Sequence, residues 1–134
     1  MKLIFQRLIY LSILIVCFGC GKSALNESRL IGSYYVKFPH GIETLLLKDD
    51  KTFVQIYTRI ENGQSQTNTG TWNFDSKFKD VILSGAVLYD NRQGQANTNL
   101  EKTVWDLPAI KRFEDISLSI DGEGVYEFQK TKLE

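Results

Sequence analysis

The chain has 134 residues, with 16 basic and 16 acidic side chains and a formal net charge of zero. No basic excess is present to drive nucleic-acid binding. A single histidine, His40, and two cysteines, Cys17 and Cys20, leave no set of ligands at zinc spacing and no free choice of base for a hydrolytic triad. Met1 to Arg7 form a short basic head, with Lys2 and Arg7 as its cations. Leu8 to Phe18 then run almost without a polar break. A charged head followed by an apolar run of this length is what a translocon reads. The run is shorter than the roughly 20 apolar residues of a membrane-spanning helix. Gly19 and Cys20 follow directly, and then the polar Gly21-Lys22-Ser23.

This opening resembles a bacterial lipoprotein signal peptide, on Gly19-Cys20 and over the first 20 or so residues. In that family a small residue precedes an invariant cysteine that is diacylated before cleavage. The resemblance implies a signal peptide over 1–19, fatty acyl chains such as palmitate on Cys20, a tether over 20–28 and a domain over 29–134. Cys17, where Leu is commonest in the family, is the competing acceptor. The bulky, β-branched Val16 before it favours Cys20. An uncleaved signal anchor is the other alternative. Removing Lys2 and Arg7 with the signal leaves 14 basic against 16 acidic residues, or about −2. Acylation and cleavage would together use up both thiols, so the domain would stand on its core without a disulfide. Two acyl chains hold a protein stably to a bilayer. By the same resemblance, Gly21 in place of Asp points to the outer membrane of a bacterial envelope, facing the periplasm.

Beyond the polar 21–28, β-branched and aromatic residues are dense and helical periodicity is nearly absent. The first strand is expected over 30–38, ended by Pro39-His40-Gly41, and the second over 42–48. Asp49-Asp50-Lys51 makes a tight turn, because Asp tolerates left-handed geometry and caps its own backbone. The third strand covers 52–60, and Asn62-Gly63 signals a hairpin. The fourth covers 69–74, and Ser76 to Lys79 turn into the fifth at about 80–89. Residues 90–99 form a loop rich in Asn, Gln and Gly. The sixth strand covers 100–106 and is broken by Pro108, with one helical turn over 109–112. In the seventh, Ile116, Leu118 and Ile120 alternate with Ser117 and Ser119, the pattern of a half-buried strand. Asp121-Gly122-Glu123-Gly124 turns it into the eighth, 125–131. The reading is therefore all-β: an antiparallel up-and-down meander of about eight strands, closed or strongly curled into a small barrel to remove exposed edges.

Three segments carry a second resemblance, to lipocalin-like envelope lipoproteins. They are Leu30-Ile31-Gly32-Ser33-Tyr34-Tyr35, Thr44 to Leu47 leading to Lys51-Thr52-Phe53, and Gly70-Thr71-Trp72. Tyr34 stands where the lipocalin signature has Trp. The resemblance covers roughly 30–75 and implies an eight-stranded barrel with a ligand or partner site at its mouth.

No constellation of residues points to catalysis or to a cofactor. His40 sits in a turn, adjacent Asp49 and Asp50 point apart, and 121–124 lacks the alternating acidic ligands of a calcium loop. Trp72, Trp105, Tyr57 and Tyr126 are expected in the core. In a meander, loops 39–41, 61–68, 90–99 and 121–124 share one end, away from the tether. Their polar residues Asn62, Gln64, Gln66, Asn91, Arg92, Gln93 and Gln95 are the candidate binding residues, since loops carry binding groups. The expectation is a non-enzymatic binding module for a protein or ligand. The alternatives are a carrier of a small apolar molecule in a barrel cavity, and an inhibitor or immunity protein.

Overall fold

Side chains alternate across a strand, so each strand here must present one set of residues to a common interior. The structure is a computed structural model and describes residues 24–89, 100–122 and 124–131. One helical turn, α1 (Glu27–Leu30), precedes eight strands: β1 (Gly32–Lys37), β2 (Gly41–Leu47), β3 (Thr52–Arg59), β4 (Ser65–Asp75), β5 (Asp80–Val87), β6 (Lys102–Arg112), β7 (Asp115–Ser119) and β8 (Glu127–Lys130). Each strand pairs antiparallel with the next, and β8 returns to β1, so the meander closes into a barrel. The fold is all-β, as expected, and is compatible with a lipocalin-like barrel.

The inward set is Tyr34, Val36, Leu45, Leu47, Phe53, Tyr57, Trp72, Val81, Leu83, Leu107, Ile116, Leu118 and Phe128, all buried. Tyr34, Leu45, Leu47, Phe53, Leu83, Leu118 and Phe128 have no surface that water reaches, so no water-sized void borders them. Trp72 is held further by its indole N–H, which donates to Lys48 O at 2.8 Å. Burial pushes the Tyr34 phenol well above its ordinary value. Its hydroxyl donates to Leu30 O at 2.7 Å.

The segment read as tether ends in structure. Asn26 caps α1, its side chain accepting from Arg29 N at 3.2 Å. Leu30 is buried, and Leu25 and Ile31 pack against the core. Glu27 pairs with Lys51 of the β2–β3 turn, and Arg29 pairs with Glu114 of the β6–β7 turn at 3.0 Å. α1 therefore closes the end at which the chain enters.

Two expected strands differ by more than a residue or two at an end. β4 starts at Ser65 rather than Thr69, because Ser65 to Asn68 pair with β3 despite being polar. Pro108 does not break β6, and no helical turn follows it. Pro108 sits where β6 changes partners: Asp80↔Pro108 is the last rung with β5, and Ala109↔Leu118 is already a rung with β7. Ala109 N donates to Lys79 O at 2.8 Å, so the missing proline N–H costs the ladder little at this handover.

A Cβ on Gly70 would collide with the Ser84 carbonyl oxygen and the Phe53 ring. Gly70→Ala should cost about 1–3 kcal/mol by urea denaturation, the usual range for overpacking. Burial first, then the carboxylates of Asp106 and Asp75, raises the Asp80 carboxyl above its ordinary 3.8. Stability from a raised carboxyl is fully present below its unfolded value and is lost as pH rises through the folded one. Asp80→Asn should therefore raise Tm at pH 7, and the gain should vanish below about pH 3.8.

Candidate functional site

The described residues at the end opposite α1 are those of the β1–β2 turn (38–40), the β3–β4 turn (60–64), the two ends of the β5–β6 connection (88–89 and 100–101), and 120–122 and 124–126 between β7 and β8. Its floor is polar. Glu43 of β2, Gln55 of β3 and Asn68 of β4 occupy inward positions and are buried. Gln55 Nε2 donates to Glu43 Oε1 at 2.5 Å and to Val87 O at 2.7 Å. Gln55 Oε1 accepts from Val87 N and from Asn68 Nδ2, both at 3.0 Å. Asn68 Nδ2 also donates to Gly85 O at 2.7 Å. Four bonds saturate the Gln55 amide.

This network stands where the backbone ladder stops. β4 and β5 pair only from Asp75↔Asp80 to Thr71↔Ser84. Beyond Ser84, β5 is irregular at Gly85, whose φ is +89°. β4 runs on to Ser65 against β3. Gln55 and Asn68 reach across the gap to the backbone of Val87 and Gly85, and Lys102 Nζ donates to Thr69 O at 3.3 Å from outside. Such a cluster holds the wall together. With its donors and acceptors spent on one another, it has little left to offer a ligand.

Aromatic rings line the level above. Tyr57 and Tyr89 stack at 4.9 Å with their planes 7° apart. Phe38 meets Tyr126 at 5.0 Å. A Cβ on Gly41 would strike the Tyr57 ring, so only glycine there leaves room for the stack. Burial, then the charge of Glu43, raises the Tyr89 phenol. Beside it lies a cleft of about 240 Å³ between Pro39, His40, Tyr57, Arg59, Ile60 and Glu61. A larger groove of about 430 Å³ lies at the opposite end, on the outer seam of β1 and β8 beside Arg29 and Lys130.

The predicted binding residues divide. Asn62 and Gln64 are exposed on the β3–β4 turn, as expected. Asn62 Oδ1 accepts from Gln64 N at 2.9 Å, so its side chain holds the turn. Gln66 lies in β4, not in a loop, opposite Tyr57 and on the same face as Asn68, at the rim of the mouth. Asn91, Arg92, Gln93, Gln95 and Cys20 lie outside the described residues. Among the core aromatics, Trp72 and Tyr57 are buried, and Trp105 and Tyr126 are partly buried against the core. Glu43, Gln55 and Asn68 were not singled out from the sequence. Strand parity reaches them, since Phe53 and Tyr57 face inward and Gln55 lies between them. Apolar Val54 and Ile56 on the outer face hide that signal. Among the described residues, no three of His, Cys, Asp and Glu gather as metal ligands.

Gln55→Ala leaves Glu43, Asn68 and the Val87 N–H short of partners. It should cost about 2–4 kcal/mol, given the penalty for stranding buried polar groups, and more than Asn68→Ala measured in the same way. Compared with protein-family models, curated proteins and solved structures, the chain matches none.

Proposed function

We propose that this is a non-enzymatic lipoprotein of the bacterial envelope, anchored through Cys20 and binding a protein or ligand with the end of the barrel opposite α1. The observation that carries the reading is the placement of apolar side chains at that end. Ile60, 52 % exposed, lines the Tyr57 cleft, and Val125, 69 % exposed, stands on the β7–β8 turn across the mouth. An apolar side chain at the edge of a cleft with a few convergent polar groups is the usual setting of a binding site. A chain tethered by its N-terminus leaves α1 toward the membrane and turns this end outward. Gly21 after the acylated cysteine favours the outer membrane, facing the periplasm.

A carrier of an apolar molecule needs a void of some hundreds of Å³. The tight packing around Phe53, Leu45 and Phe128 favours recognition at the surface over storage inside.

Two measurements test the two halves of the proposal. Labelled palmitate should enter the full chain and fail to enter Cys20→Ser, while persistence of label would move the anchor to Cys17. The double variant Ile60→Asp, Val125→Asp should lose whatever the parent captures from envelope extract. Its Tm should hardly move, since exposed substitutions usually change stability by about 0.5 kcal/mol or less. Unchanged capture would remove the far end as the binding surface.

A further inference from the structure

We propose that the α1 end of the barrel rests directly on a lipid bilayer, with Phe113 entering the acyl–headgroup boundary and Phe78 beside it. The inference builds on the N-terminal anchoring proposed above. It adds a contact made by the folded domain itself.

Both residues cap turns at the end where the chain enters. Phe78 lies in the β4–β5 turn and is 64 % exposed; Phe113 lies in the β6–β7 turn and is 96 % exposed. Among the described residues, neither ring belongs to the hydrophobic core. The backbone makes Phe113 more unusual still. The β6–β7 hairpin is closed by two residues, Phe113 and Glu114, between the rung Arg112↔Asp115. Phe113 has φ of +58°, the left-handed region that hairpin turns fill with Gly, Asn or Asp. At the far end such positions are glycine: Gly63, Gly122 and Gly124 at φ +67°, +71° and +79°. At the α1 end they are Lys51, Lys79 and Phe113. Lysine reaches solvent from such a turn, whereas a fully exposed phenylalanine gains nothing from water. A bulky residue in a strained, solvent-facing position is a functional signal when the fold does not need it.

The surroundings fit a lipid interface. Lys77 Nζ lies 4.9 Å from the centre of the Phe78 ring and Lys79 adjoins it, while Arg112, next to Phe113, pairs with Glu127 at 3.1 Å. Long basic side chains of this kind bury their stems and keep their charge among headgroups. Three of the acidic groups nearby are engaged. Glu114 pairs with Arg29, Glu27 pairs with Lys51, and Asp75 Oδ1 accepts from Lys77 N at 2.8 Å and Phe78 N at 3.2 Å. The rim is close to charge balance, so the aromatic tips and not net charge provide the attachment. The described chain begins at residue 24, just before α1, so whatever holds its N-terminal side reaches the barrel at this end. On the anchoring proposed above, the occupant brought close is the bilayer.

The test uses the full chain in vesicles of phosphatidylethanolamine and phosphatidylglycerol with brominated acyl chains, read on the floated fraction. Phe113→Trp, Phe78→Trp and the far-end control Ile60→Trp are each compared with the parent, whose Trp72 and Trp105 set the background. The expected result is a blue-shifted, bromine-quenched signal at position 113, weaker quenching at 78 and none at 60. A floated chain whose position 113 is unquenched, or whose position 60 is quenched as strongly, overturns the contact and leaves the anchor intact. Failure to float overturns the anchor, and the contact with it. In parallel, Phe113→Gly should keep or raise Tm; a marked fall would assign the ring to the fold and overturn the proposal.

Discussion

The barrel depends on a seam only two rungs wide. β8 meets β1 through Tyr34↔Lys130 and Tyr35↔Gln129, and without that contact both strands would be open edges. The closure is reinforced from the side. Thr131 N donates to Ser33 O at 2.8 Å, and Thr131 Oγ1 donates to the same oxygen at 3.0 Å. Lys130 Nζ donates to the Arg29 carbonyl and lies 5.6 Å from the centre of the Tyr34 ring. Partial burial and the nearby Arg29 hold the Lys130 ammonium below its ordinary value. The seam thus draws α1, β1 and β8 into one unit, and α1 can close the barrel only because the seam holds.

The two ends solve different problems. The α1 end is closed by packing, with Leu30 and Tyr34 buried over Phe53 and Trp72. The opposite end is closed by hydrogen bonds among Glu43, Gln55 and Asn68, beneath a layer of tyrosines. A polar layer of this kind is stable only when every member is satisfied, which Gln55 achieves with four partners. Apolar turns therefore carry different meanings at the two ends. At the mouth Ile60 borders a cleft, and at the base Phe78 and Phe113 stand on hairpin tips.

Much of this was legible in the sequence, for local reasons. The alternation around Ile116 and Leu118 marked β7, although Ser117 and Ser119 are buried as well and the strand is not half-exposed; Asn62-Gly63 gave the β3–β4 turn, and Asp50 does cap its turn, accepting from Thr52 N at 2.9 Å. The first half of β4 was not legible, because its inward residue is Asn68 and polarity reads as loop. What makes Asn68 an interior residue lies on other strands, at Gln55 and Gly85. Pro108 misled for a similar reason. A proline breaks a strand only where its N–H is needed, and the change of ladder partner at 108–109 is a tertiary fact. Gln66 was placed correctly near the mouth but in the wrong element. Phe78 was expected in the turn over 76–79, whereas Phe113 follows a stretch that reads as a helical turn, and no local pattern marks it as an exposed tip.

The gap between β4 and β5 has a mechanical consequence. Around most of the circumference, parting two strands means breaking a row of backbone bonds. Above Ser84 the ring is buckled by side chains alone, chiefly the amides of Gln55 and Asn68. One amino-acid change, or one competing amide inserted from outside, is enough to undo that buckle while the rest of the hoop stays fastened. The mouth is the half of the barrel whose diameter evolution can adjust one residue at a time.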